Sequence, residues 1–175
     1  MLSKGDIVEC LREIGQELKN QDMVGEILLT GGAAMCLVHS ARDMTKDIDA
    51  LYEPKTLINQ IASKIAEEKN LPPDWLNDSV KGFVTENVST EEFMTFDGLK
   101  VTVVSPEYLL AMKLISARYG EKDFEDIVFL LRKLDVKTPD QAERIITRFY
   151  PVNRILPKTM YVIEECLEEC LRELS

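Results

Sequence analysis

The sequence predicts an α+β fold, a small mixed β-sheet flanked by helices and followed by a C-terminal helical portion. Three observations carry this. Strand-like apolar runs alternate with helix-period segments up to about residue 105. An Asp97-Gly98 pair sits between two such runs, which marks a hairpin. Beyond Ser105-Pro106 only helical periodicity remains.

The elements follow in order. Ile7, Val8, Leu11, Ile14 and Leu18 recur at three- and four-residue steps, so a helix runs from Lys4 to about Lys19. Glu26 to Thr30 reads as a short buried strand ended by Gly31-Gly32, after which Ala33 to Val38 is helix-compatible. Asp47 to Tyr52 alternates charged and apolar side chains with period two before Pro54 breaks it, a second strand, and a helix spans Lys55 to Lys69. Leu71 to Asn77 holds two prolines and the single tryptophan, Trp75, and predicts a helical turn that staples this region to the core. Phe93–Phe96 and Leu99–Val104 form the hairpin strands. Helices follow at about 107–119, 122–134, 138–149 and 157–174.

The length of 175 residues favours one domain, about 1–105 as an α/β core and 106–175 as helices packed on it. A net charge of -10 argues against a general coat for nucleic acid duplexes, and no apolar run approaches the roughly 20 residues of a membrane span. The N-terminus lacks the pattern of a signal or transit peptide, so a cytoplasmic location is expected. Cys10, Cys36, Cys166 and Cys170 are expected as reduced, buried residues. With no CxxC and one histidine, His39, a zinc site is not expected. His39 itself reads as a surface or capping residue at the end of a helix.

The chemistry concentrates in Thr30-Gly31-Gly32 and Asp47-Ile48-Asp49. Two glycines between a strand and a helix let the backbone approach a phosphate closely. Aspartates at i and i+2 of a strand share a face roughly 7 Å apart, within reach of one divalent cation. With 12 aspartates in the chain, an Asp-x-Asp arises by chance about once, so its place after a strand, a glycine pair and a helix carries the weight.

Gly31-Gly32-Ala33-Ala34, Arg42 to Ala50 with Asp47-Ile48-Asp49, Leu110 to Arg118 with Lys113, and Lys122 to Ile127 with Asp123 together resemble the minimal nucleotidyltransferases of the DNA polymerase beta-like superfamily. The ordered set looks closest to the branch of AbiEii-type toxins and covers about residues 26–132. The resemblance implies a nucleotidyltransferase-like sheet and transfer of a nucleoside monophosphate from a nucleoside triphosphate to an acceptor hydroxyl on RNA, protein or a small molecule. Mg2+ or Mn2+ is the implied cofactor. Gly31 and Gly32 would hold the triphosphate, Asp47 and Asp49 the metal. Lys113 would neutralise phosphate charge, and Asp123 would orient the site or activate the acceptor. Thr30, Thr45 and Arg118 are expected around the nucleotide. An antitoxin-like protein is the implied partner, and the last helix, with Val162, Ile163, Leu167, Leu171 and Leu174 on one face, could serve a dimer with a second copy of the chain as well as the core.

One position departs from the superfamily pattern: a later strand that often carries a third carboxylate has Thr102 here, within Val101-Thr102-Val103. Either Asp123 or Asp126 completes the site, or the protein is a catalytically degenerate binding or regulatory member. Asp97, the other nearby acid, is explained by its turn.

Overall fold

The computed structural model describes residues 1–41, 43–116 and 121–172. The chain divides into two compact units, Met1–Gly82 with Thr90–Val104, and Phe83–Ser89 with Ser105–Ser175.

The first unit contains β1 (Leu2–Ser3), α1 (Lys4–Asn20), β2 (Gly25–Leu29), α2 (Gly31–Leu37), β3 (Met44–Thr45), β4 (Ile48–Glu53), α3 (Lys55–Lys69), β5 (Leu76–Asn77), β6 (Thr90–Phe96) and β7 (Leu99–Val104). Five strands form one mixed sheet in the order β5-β4-β2-β7-β6. The β2–β4 and β6–β7 pairs are antiparallel, and the β2–β7 and β4–β5 pairs are parallel. The fold is therefore α+β with a mixed sheet flanked by helices. Side-chain alternation gives the sheet two faces. Ile27, Leu29, Ala50, Val101 and Val103 are buried on one face, with the apolar stripe of α1 (Ile7, Leu11, Ile14, Leu18) and that of α3 (Ile58, Ile61, Ile65) in the same core. Each such aliphatic side chain contributes about 1.5–3 kcal/mol by leaving water. Leu28, Asp49, Leu51 and Thr102 stand on the other face, half-buried.

Local chemistry sets the element ends. Ser3 caps α1 and Asp6 returns the bond, a capping box. Gly98 closes the β6–β7 hairpin with φ +81, a conformation that costs a glycine little. Three local expectations change. α2 begins at Gly31, two residues earlier than the helix-compatible run. β6 extends back to Thr90, because an edge strand leaves Glu91 and Glu92 in water while its backbone pairs with β7. The expected helical turn at Leu71–Asn77 ends as strand β5: Trp75 is fully buried, its indole N–H donates to the Ala62 carbonyl at 2.9 Å, and the Ile48 N–H donates to the Trp75 carbonyl, so Leu76 and Asn77 are drawn alongside β4. The pairing of β1 with β3 was not visible in the sequence.

The second unit contains α4 (Pro106–Ser116), α5 (Glu121–Lys133), α6 (Pro139–Phe149) and α7 (Pro157–Arg172). Tyr108 and Tyr150 anchor the 83–89 segment to it: the Thr85 N–H donates to the Tyr108 hydroxyl at 2.7 Å, and the Tyr150 hydroxyl donates to the Phe83 carbonyl at 2.6 Å. Thr138 and Gln141 form a second capping box at the start of α6. No described helix is long and apolar enough to cross a membrane.

Candidate active site

In the first unit the glycine turn meets the aspartate strand. Thr30 is extended and buried, and its N–H and hydroxyl both donate to the Asp49 carbonyl at 2.9 Å. Gly31 follows with φ +51. A Cβ on Gly31 would lie 2.7 Å from Asp49 Oδ2, so the carboxylate rests against the glycine α-carbon in space that only glycine leaves open. The other carboxylate oxygen, Oδ1, accepts a hydrogen bond from the Ser79 hydroxyl at 3.2 Å.

Asp47 lies one residue before β4, and the buried Thr45 hydroxyl donates to its carbonyl at 3.1 Å. Thr30 and Thr45 thus do the same work, each bracing the main chain of one aspartate. Partial burial holds the Asp47 carboxyl above its ordinary pKa, and the negative charge of Asp49 adds to the rise while Lys46 opposes it. No ion pair among the described residues involves Asp47 or Asp49. Two hard oxygen donors of like charge, two residues apart in the chain and with no ion-pair partner among the described residues, suit Mg2+, which takes one or two carboxylates and leaves its other positions to water and phosphate. Among the described residues no group of three His, Cys, Asp or Glu side chains converges to hold a metal by itself.

In the second unit Lys113 is buried in the last turn of α4. Its ammonium pairs with Asp126 Oδ2 at 2.6 Å and Asp123 Oδ1 at 3.1 Å, two carboxylates three residues apart on one side of α5. The Asp126 side chain is 5% exposed and that of Asp123 is 40% exposed. Lys113 therefore spends its charge on carboxylates, and Asp123 is the member of the cluster that solvent reaches. Arg118, expected near the nucleotide, lies outside the described residues, as does Arg42.

Thr102 stands in mid-β7 opposite Leu28, its hydroxyl 3.5 Å from the Ile27 carbonyl. Asp97 forms its turn and pairs with Lys19 at 2.6 Å on the surface. His39 follows the C-terminal end of α2 and is half-buried. All four cysteines are buried and none is in a disulfide, and burial pushes the Cys10 thiol up to about 11 and that of Cys166 to about 12. Sequence reasoning missed Ser79. Its signal is Asn77-Asp78-Ser79, in which the Asn77 side chain accepts the Ser79 N–H at 3.0 Å, an Asx turn.

Comparison with known families adds one finding. The sequence model of the family described as "Nucleotidyltransferase of unknown function (DUF6036)" matches residues 6–141, from α1 into α6. No curated protein and no solved structure matches the chain. The matched span holds Gly31, Asp47, Asp49, Lys113 and Asp123, and the chain belongs to this DUF6036 family of nucleotidyltransferases.

Proposed function

We propose that the protein is a cytoplasmic, Mg2+-dependent enzyme that transfers a nucleoside monophosphate from a nucleoside triphosphate to an acceptor hydroxyl and releases pyrophosphate. The observation that carries this reading is the seating of the Asp49 carboxylate against Gly31, with Asp47 two residues earlier and its charged form disfavoured by burial and then by the Asp49 charge. Asp47 and Asp49 would hold the cation, which supplies charge neutralisation for the phosphates. Gly31 and Gly32 would present backbone N–H groups to the phosphate oxygens, as the first residues of α2. Thr30 and Thr45 keep the two aspartates in place. Lys113 pairs with Asp123, to which the resemblance gives the acceptor's proton as the acceptor oxygen bonds to the α-phosphorus and the bond to pyrophosphate breaks.

We infer from the resemblance of the ordered set Gly31-Gly32, Asp47, Asp49, Lys113 and Asp123 a protein akin to the AbiEii-type toxins, with RNA, a protein or a small molecule as acceptor and an antitoxin-like protein or a second copy as partner. The hydroxyl of Thr102, where a third carboxylate is common, favours a second reading, a nucleotide-binding regulatory member without efficient transfer. One experiment separates them. Labelled nucleoside triphosphates with Mg2+ or Mn2+ are screened against cell RNA and protein, alongside calorimetric triphosphate binding. Label transfer that is lost in Asp49→Asn supports the enzyme, binding without transfer supports the regulatory reading, and neither in the presence of Mg2+ sinks both.

A further inference from the structure

Asp49 is held at more points than a strand residue requires. Thr30 takes its carbonyl twice, Gly31 backs Oδ2, and Ser79 donates to Oδ1. Ser79 is itself seated. Its N–H is taken by Asn77 Oδ1, and Asn77 lies directly beside Asp49 in the parallel β4–β5 register. Asp78 is fixed by Lys55, and the strand behind it is tied down by the buried Trp75. An exposed serine turned onto a carboxylate contributes little to stability, because water would serve the same oxygen. The donor's chemistry is informative instead. A lysine or arginine at this place would neutralise Asp49 and compete with a cation, whereas a hydroxyl orients one oxygen and leaves the negative charge intact.

We propose that Ser79 is a positioning residue for Asp49: seated by Asn77, its hydroxyl fixes the carboxylate plane so that the remaining lone pairs face an incoming divalent cation. The inference rests on the reading of Asp49 as a cation ligand.

Its test is Mn2+ titrated into the full chain with ATP present, free Mn2+ being read from its paramagnetic resonance signal. Ser79→Ala weakens Mn2+ binding about tenfold, the usual effect of losing a hydrogen bond that orients a metal ligand. Ser79→Thr, which keeps the hydroxyl, retains most of the affinity, and the thermal midpoint of both variants stays at that of the unsubstituted protein. Ser79→Ala binding Mn2+ as tightly as the unsubstituted protein, while Asp49→Asn has lost it, overturns the role of Ser79 and leaves the site reading intact. Equal losses in Ser79→Ala and Ser79→Thr also overturn it, because the effect then does not follow the hydroxyl. Undiminished binding in Asp49→Asn overturns the site reading itself.

Discussion

Two acidic pairs among the described residues, Asp47 with Asp49 in one compact unit and Asp123 with Asp126 in the other, are built on opposite electrostatic terms. Asp123 and Asp126 share the ammonium of a buried lysine, so part of their charge is offset from within the chain. Asp47 and Asp49 are braced through their carbonyls by Thr45 and Thr30 respectively, and the Asp49 carboxylate faces a glycine and a serine hydroxyl, neither of which balances its charge. The first arrangement serves the fold whether or not a ligand is present. The second costs the fold something that a bound cation would return, which is the behaviour expected of a binding site.

The comparison breaks first at Lys113. Lys113→Met removes the ammonium that lies 2.6 Å from the carboxylate of a nearly buried Asp126, and removing one partner of a buried pair costs about 3–5 kcal/mol. Urea unfolding of the variant should show a loss of that order. A loss under about 1 kcal/mol would mean that water already solvates the cluster and that it is no structural counterpart to the Asp47–Asp49 pair.

Gly31→Ala is expected to be smaller in stability and larger in binding. A side chain at φ +51 costs about 1–2 kcal/mol, and the new Cβ must push the Asp49 carboxylate from its seat. Calorimetry with ATP and Mg2+ should show binding falling further than thermal stability does. Equal nucleotide affinity in the variant would show that the carboxylate has room to move and that its contact with Gly31 is incidental.

These residues also show which parts of the molecule could be read in advance. The strands that line the core were legible because Ile27, Leu29, Val101 and Val103 alternate with exposed or half-buried neighbours, and the hairpin because Asp97-Gly98 has few other uses. β1, β3 and β5 are two residues each and exist through backbone pairing with distant segments, which leaves no pattern in side chains. The glycine pair and Asp-x-Asp were legible because their chemistry is local. Ser79 was not, since its partner is thirty residues earlier and reaches it only through the pairing of β5 with β4. Lys113 was recognisable as a functional candidate, but its commitment to Asp126 depends on how α4 and α5 pack, which periodicity does not encode.

The smallest effect has the most telling sign. The folded pKa of Asp47 is raised, first by burial and then by Asp49. Below the unfolded value, about 3.9, both states carry the proton and nothing is lost. As pH rises through the folded value, the fold must release a proton that it holds more tightly than the unfolded chain does, and stability declines. Asp47→Asn should therefore stabilise the protein at pH 7, by under about 1 kcal/mol because solvent screens a half-buried group, and the gain should vanish near pH 3. Added Mg2+ with ATP should reverse the order, raising the melting temperature of the unsubstituted protein and leaving that of Asp47→Asn nearly unchanged. A variant that is less stable at pH 7 without Mg2+ would place Asp47 among the acids that a partner within the chain stabilises, with Asp123 and Asp126.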